Sequence, residues 1–448
     1  MPRTTIRDLG NGLLLRRSTP DDTEALVAFH SNVHTADDPP DEVALIAAWV
    51  RDLMTRPHPT FDPGDFTIVE DTNRGEIVSS LCLISQTWSY GGIEFGVGRP
   101  ELVGTAPAYR RRGLVRAQME VVHEWSAERG ERVQGITGIP WYYRQFGYEM
   151  AMTLGGGRGG YKPNVPKLKE GEEEPYRVRP ATEADLPFIA EVYACGARRW
   201  PVVCVRDQAL WHNELLGKSK ENVNRRDLAV IETAVGDGAG EPVGFITLSP
   251  HVHHNRIGIG VYELKQGVSW LAVTPCVVRH LWSLGEASTA ENPEQELEMF
   301  GLWLGAEHPA YEVFRERLAR FFQPYAWYLR VPDVPGFLRH VAPALDLRLS
   351  ESALAGHCGE LKLNFYQAGV RLVFEEGRLT AAERWMPEKT EDGDAAFPEL
   401  TFLQLLFQRR SIDELDEAFA DCWVHGDGPR ALLAALFPKN PSDVWPVS

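Results

Sequence analysis

The chain has 448 residues, too many for one ordinary core, and about three domains are expected. Its 44% hydrophobic and 24% charged content is that of a folded globular protein and argues against disorder. The net charge of −17 argues against a nucleic-acid or anionic-membrane surface and favours a cationic acceptor.

Six cysteines (Cys82, Cys195, Cys204, Cys276, Cys358 and Cys422) are scattered without a C-x-x-C pair. Neither a zinc site nor a disulfide framework is indicated, and reduced, buried thiols are expected. Met1 to Arg17 carries early charges and no apolar core, unlike a signal peptide. No stretch approaches the roughly 18 apolar residues of a membrane helix. A cytoplasmic location and no metal are the expectations.

Arg16-Arg17-Ser18-Thr19-Pro20-Asp21-Asp22 leads into the periodic apolar residues Leu26, Val27 and Phe29. It reads as a strand, a capped turn and an amphipathic helix, with Thr19 as N-cap. Cys82, flanked by Leu81 and Leu83, reads as a core residue of a strand rather than a nucleophile.

Glu101-Leu102-Val103-Gly104-Thr105 is a short strand that Ala106-Pro107 ends. Tyr109-Arg110-Arg111-Arg112-Gly113-Leu114-Val115-Arg116 follows and opens a helix with Leu114, Ala117, Val121 and Trp125 on one side. A strand that turns through arginines and one glycine into a helix gathers unpaired N–H groups at a dipole end suited to pyrophosphate. Gly113 admits close backbone approach, and the arginines add charge-assisted bonds. Three arginines by themselves fit a solvated basic helix cap better, and it is the surrounding pattern that favours a phosphate loop. About 30 residues later stands Tyr143-Arg144-Gln145-Phe146-Gly147-Tyr148.

From Gly155 to Pro175 the chain is dense in glycine, proline and like charge, and a linker without regular structure is expected. No helix follows the glycine run, so a phosphate loop there is not supported. Beyond it Arg179-Pro180-Ala181-Thr182-Glu183-Ala184-Asp185 leads into Leu186, Phe188, Ile189 and Val192, repeating the Arg16 segment at an offset of 163 residues. His251, His253 and His254 fall in a hairpin loop without a carboxylate or cysteine at ligand spacing, which reads as a solvated turn. Trp270-Leu271-Ala272-Val273-Thr274-Pro275 is read as the counterpart of the strand ending at Pro107. Val278 and Leu281 then replace Arg110 and Gly113, so the second copy should not bind a cofactor.

In the last third, Leu361, Leu363 and Phe365, then Val370, Leu372 and Phe374, alternate with polar residues as in a β-meander. Helices are expected at Leu400 to Phe407, at Ile412 to Ala420 behind a Ser411–Glu414 capping box, and at Pro429 to Leu436.

Arg110-x-x-Gly113-x-Val115 resembles the acetyl-CoA loop of the GNAT superfamily of N-acetyltransferases, and Tyr143 through Tyr148 resembles its tyrosine-then-Phe-Gly-aromatic signature. Val115 departs from the small residue usual there. The layout as a whole resembles the enhanced-intracellular-survival (Eis) family. The resemblance implies an α/β (α+β) fold of tandem GNAT domains followed by a sterol-carrier-like domain. The corresponding boundaries are 1–160, a linker at 161–175, a degenerate copy at 176–328, and 329–448.

It further implies acetyl-CoA as co-substrate and a small-molecule amine acceptor such as an aminoglycoside, polyamine or lysine-like group. It also implies a homo-oligomer, often a hexamer. Cofactor contacts fall to Val103, Gly104, Thr105, Arg110, Arg111, Arg112, Gly113, Leu114 and Val115. The acid for the departing thiolate is Tyr143, with Tyr142 beside it as an alternative. The terminal carboxylate, on Ser448, is the implied general base. Variable loops build acceptor pockets in this family, and Ser31 to Asp65, with Asp37, Asp38, Asp41 and Glu42, is such a segment. Two other readings stay open: transfer of a longer acyl group, and a lipid-binding protein built on the third domain.

Overall fold

Tight glycine turns between successive strands make the first third mainly antiparallel. The computed structural model describes residues 5–34, 40–236, 238–250, 252–292, 294–398 and 400–448, and only the backbone of 40–42. Asp37, Asp38 and His251, and the side chains of Asp41 and Glu42, lie outside what is described.

The strands in chain order begin with β1 (Thr5–Gly10), β2 (Leu13–Arg17), β3 (Phe66–Asp71), β4 (Glu76–Tyr90), β5 (Ile93–Thr105), β6 (Val133–Ile136) and β7 (Glu149–Leu154). Then come β8 (Gly157–Tyr161), β9 (Tyr176–Pro180), β10 (Val202–Cys204), β11 (Asp227–Thr233), β12 (Pro242–Leu248), β13 (Arg256–Leu264), β14 (Met299–Leu302), β15 (Arg320–Phe322) and β16 (Tyr325–Arg330). Among the described residues one sheet runs β1-β2-β3-β4-β5-β6-β16-β7, with β10 added beside β4, and a second runs β15-β8-β14-β13-β12-β11-β9.

Both faces of the first sheet are covered. Cys82 and Ile84 of β4 join the core formed with Leu26 of α1 (Thr23–His34) and Trp49 of α2 (Pro40–Thr55). Leu81 and Leu83 join the opposite core with Val122 and Trp125 of α3 (Leu114–Glu128). Strands buried on both faces carry continuous apolar runs instead of alternation.

The two sheets exchange strands. β8, directly after β7, crosses to pair with β14 and β15 of the second sheet. β16, directly after β15, returns to lie between β6 and β7 of the first. The stretch expected to be an unstructured linker therefore contains β8, and the expected boundaries at 160 and 328 fall inside β8 and β16. The glycines serve close approach, not flexibility. A Cβ on Gly157 would lie 2.3 Å from the Leu302 carbonyl oxygen, and one on Gly160 would lie 2.5 Å from both the Arg317 carbonyl oxygen and the Phe300 ring.

The repeat is built twice in atomic detail. The Asp22 carboxylate accepts from Arg16 at 2.8 and 2.9 Å and from the Thr19 N–H at 2.8 Å and its hydroxyl at 3.0 Å, while Arg16 Nε also donates to Glu70. Arg179, Thr182, Asp185 and Glu232 repeat each of these bonds. Here the threonine hydroxyl donates to the aspartate, whereas a simple N-cap would accept from the backbone. α4 (Leu186–Ala197) then matches α1 residue for residue in length.

Trp270 to Pro275 is not a strand. After the short α5 (Gln208–His212), these residues open the long helix α6 (Trp270–Glu291), capped by Ser269. Pro275 lies in its second turn, and Val278 and Leu281 are fully buried core residues. The apolar run matched a strand because periodicity cannot separate a strand from the first turns of a helix over so short a stretch.

The third unit has the expected meander, β17 (Gly359–Asn364), β18 (Gly369–Glu375) and β19 (Arg378–Trp385), extended by β20 (Ala395–Ala396) and β21 (Trp423–Val424). The Ser411–Glu414 capping box forms, with Ser411 N–H donating to Glu414 at 2.9 Å and Glu414 N–H to Ser411 Oγ at 3.2 Å. Phe337 and Phe407 pack edge-on to Tyr90 at 6.0 and 6.2 Å, joining this unit to the first sheet's core.

Gly160→Ala should cost about 1–3 kcal/mol, as overpacking does. Gly64→Ala, whose Cβ would meet only the Ser18 carbonyl oxygen at 3.9 Å, should be nearly neutral. Urea unfolding of the two variants checks both.

Candidate active site

β5 changes partners along its length. It pairs in parallel with β6 only at Val97–Val133 and Gly98–Gln134, after which the two strands diverge. On its other side the register with β4 slips between Ser80–Gly104 and Cys82–Glu101, which places a bulge at Leu102, with φ at 54°. A bulge re-aims the main chain beside it. The edge of Val103, Gly104 and Thr105 that no longer meets β6 faces an opening.

The loop after β5 closes that opening from one end. Ala106 N–H donates to Val78 O and Arg110 N–H to Pro107 O, and then Arg111 and Gly113 turn left-handed at φ 63° and 76° before α3 begins. The N–H groups of Arg111 to Arg116 carry no hydrogen bond among the described residues, the first helical bond being Ala117 N–H to Gly113 O at 3.0 Å. Nothing lies within 4 Å of a Cβ placed on Gly113, so its positive φ selects glycine and leaves its face of the loop open. Unpaired N–H groups at a helix N-terminus form an anion site.

A cavity of about 670 Å³ results. Val103, Gly104, Thr105, Arg110, Arg111, Gly113, Leu114 and Val115 line it together, as do Arg116 and Tyr142. Arg112 does not. It turns back to donate to Ala108 O at 3.0 Å and covers the Tyr109 ring at 4.8 Å. Arg116, outside the motif, reaches across to Gln145 Oε1 at 3.0 Å.

A second cavity of about 250 Å³ adjoins the first and is lined by Tyr143, Glu101, Trp49, Ile46 and Thr137 among others. His34, Val103 and Ile139 line both. Tyr143 is buried, edge-on to Tyr142 at 5.2 Å and Tyr328 at 5.8 Å. Burial, then the charge of Glu101, holds its phenol above the ordinary tyrosine range, so it stays protonated. Arg99 pairs with Glu101 at 2.5 Å. The two candidate tyrosines thus take different cavities.

Ser448 lines neither cavity. It is buried, and Lys218 Nζ donates to its hydroxyl at 3.4 Å. The segment before it is held throughout: Trp445 lies 3.8 Å from the Arg206 guanidinium, and the Val447 carbonyl accepts from Arg99 at 2.7 Å and Gln86 at 3.1 Å. Among the described residues the end of the chain reaches the site through Val447, whose carbonyl accepts from Arg99, the partner of Glu101. His34 and Glu101 carry no motif. They were missed because only the fold brings a helix end and a strand end to one cavity.

In the second sheet β13 and β14 likewise pair in parallel, from Arg256–Met299 to Ile259–Leu302. The space beyond holds a cavity of only about 40 Å³. His308 fills it, Nδ1 accepting from Ala310 N–H at 3.2 Å and Nε2 donating to Tyr262 O at 3.0 Å, with Trp270 edge-on at 5.1 Å.

Residues 15–151 match the family described as an acetyltransferase (GNAT) domain, so this part of the chain carries such a domain. No curated protein is significantly similar to the chain in sequence. Among solved structures, a conserved protein of unknown function from Enterococcus faecalis V583, described as a probable N-acyltransferase, is similar with a TM-score of 0.65 at 13% identity, over 95% of this chain and 96% of its own. A GCN5-related N-acetyltransferase from Anabaena variabilis is similar with a TM-score of 0.64 at 14% identity, over 96% and 99%. Eis1 from Mycobacterium abscessus is similar with a TM-score of 0.59 at 13% identity, over 96% and 98%. At these identities the likeness is one of fold.

The buried cluster that anchors the end of the chain can be tested directly. Glu214 pairs with Arg206 at 2.9 Å and Lys218 at 2.7 Å, all fully buried. Burial alone would raise the Glu214 pKa, but the two cations hold it below the ordinary carboxylate value. Its contribution is therefore present above the unfolded carboxylate pKa and is lost as pH falls through the folded one. Glu214→Gln should cost about 3–5 kcal/mol at pH 7 by leaving buried charge uncompensated, and should flatten the acid side of stability measured by denaturant unfolding.

Proposed function

We propose that the chain is an acetyl-CoA-dependent N-acetyltransferase acting on a primary amine of a small cationic acceptor, such as an aminoglycoside, polyamine or lysine-like group. The observation that carries this reading is the row of unpaired N–H groups from Arg111 to Arg116, opening on the cavity that the freed edge of β5 also lines. Those N–H groups, with Arg110, Arg111 and Arg116, suit the pyrophosphate of coenzyme A. The main chain of Val103 to Thr105 would hold the thioester and its developing oxyanion.

The smaller cavity would receive the amine. Attack on the thioester carbonyl forms the new C–N bond and breaks the C–S bond, and Tyr143 returns a proton to the departing sulfur. Its hydroxyl has no protein hydrogen bond among the described residues and lines the acceptor side. The net charge of −17 favours a cationic acceptor in the encounter.

In the same reading the second sheet is a degenerate GNAT copy, its phosphate loop replaced by the short Lys265–Ser269 turn and its cleft filled by His308. The third unit is proposed as a sterol-carrier-like domain. Its interior is filled by Phe337, Phe374, Phe397, Phe402 and Phe407, which favours a structural role over lipid carriage.

Wild-type protein should release coenzyme A from acetyl-CoA only when a suitable amine is present. Tyr143→Phe should lower kcat by about 10²–10⁴-fold, the range for loss of a general acid, without weakening acetyl-CoA binding. Arg110→Ala should weaken acetyl-CoA binding by about 10–100-fold by calorimetry, since one charged hydrogen bond contributes about 1.5–3 kcal/mol. Failure of the wild type to bind acetyl-CoA would overturn the reading.

A further inference from the structure

Three residues line both cavities, and only one of them, His34, has a side chain that can take up a proton near neutral pH. It is the last residue of α1, and its ring is exposed to the cavities. A Cβ placed on Gly104 would lie 3.4 Å from His34 Nε2 and 2.9 Å from the neighbouring Val33 side chain. The imidazole therefore stands over the face of β5 at Gly104, beside its freed edge and between the two cavities, where a thioester carbonyl would lie.

The ring is also supported. His30, one turn back, is fully buried and stacks on it with centroids 5.5 Å apart and planes 13° from parallel. Among the described residues neither His30 ring nitrogen has a hydrogen-bond partner. Phe29 and Phe66 pack around His30 at 5.1 and 5.7 Å, so it is a neutral apolar backing for His34. Burial lowers the pKa of His30 well below the ordinary histidine value and that of His34 below it, the Leu102 main chain opposing the latter shift. Both rings are neutral at pH 7, the state in which His34 can accept a proton.

The repeat supplies an internal comparison. At the offset of 163 residues His34 corresponds to Ala197 and His30 to Tyr193. Both of these line the 40 Å³ remnant in the second sheet. The copy with an open cleft carries the imidazole pair, and the copy with a filled cleft has lost it.

We propose that His34 is the general base of the acyl transfer, taking a proton from the neutral amine nitrogen as it attacks. This rests on the acyl-transfer reading above. The acceptor nitrogen gives one proton to the imidazole and bonds to the acyl carbon. The C–S bond breaks, Tyr143 protonates the sulfur, and His34 and Tyr143 return to their starting states by exchange with solvent. Among the described residues, the ionisable groups that face His34 are His30 on its own helix, Glu101 and Tyr143 across the smaller cavity, and Tyr109, Tyr142 and the guanidinium groups of Arg110, Arg111 and Arg116 across the larger one. Burial disfavours the imidazolium, and Glu101 is already paired with Arg99.

The test is steady-state kinetics from about pH 4.5 to 9.5 with acetyl-CoA and a panel of primary amines, on the wild type, His34→Gln and His34→Ala, with acetyl-CoA binding measured in parallel. Expected are a fall in kcat/KM for the amine of about 100-fold or more at pH 7 in both variants, with unchanged acetyl-CoA binding. The acid limb of the wild-type profile should vanish in His34→Gln, and added imidazole should partly restore His34→Ala. A His34→Gln enzyme within threefold of wild type across this range overturns the role of His34 while acyl transfer stands. A wild type that binds acetyl-CoA and turns over no amine overturns the parent reading, and His34 with it.

Discussion

The divergence of β5 from β6 after Gly98 is the constraint on which the site depends. A parallel pair that stops sharing hydrogen bonds leaves main-chain groups that must find another partner. The chain uses that requirement twice. In the first sheet the freed edge faces a cavity, with the left-handed turns at Arg111 and Gly113 delivering the N-terminus of α3 to its far side. In the second sheet the same freed edge is satisfied from within, by His308 bonding Tyr262 O. One geometry thus yields an open site in one copy and a packed interior in the other.

What holds the open copy in place lies largely outside it. β16 arrives from residues 325–330 to separate β6 from β7, and Tyr328 on it touches Tyr143 and accepts from the Trp141 N–H at 2.7 Å. The wall carrying Tyr143 therefore depends on a strand almost two hundred residues away. β8 makes the reciprocal crossing, so neither sheet is completed by its own stretch of chain alone. The end of the chain adds a third tie, threading past Arg206 and reaching Arg99, the partner of Glu101. Such long-range ties position the site more rigidly than a loop could, because each replaces a free backbone edge with paired groups.

The shared Arg–Thr–Asp–Glu network shows which features of the repeat are structural. Arg16 and Arg179 each tie a strand to the start of a helix and to the neighbouring strand, and both copies keep every bond. The features that differ are those at the cleft: the arginine loop against a short turn, and the His30–His34 pair against Tyr193 and Ala197. A framework retained in both copies and a cleft retained in one is the pattern expected when function resides in a site placed on a fold.

The sequence by itself determined the features whose physics is local. The capped turn at Thr19 and its repeat at Thr182, the Arg110–Val115 turn into a helix, the meander from Leu361 and the Ser411 box each depend on neighbours within a few residues, and each was legible. The sites that only the tertiary structure decided depend on partners far along the chain. The glycines from Gly155 to Gly160 looked like a flexible linker because their reason, the close passage of Phe300, Leu302 and Arg317, lies about 150 residues away. Trp270 to Pro275 looked like a strand because so short an apolar run fits a strand or the first turns of a helix, and its place in α6 is set by what Val273 and Thr274 pack against. His34 carried no signal at all, since a histidine at a helix end acquires chemical meaning only when a bulged strand brings Gly104 against it.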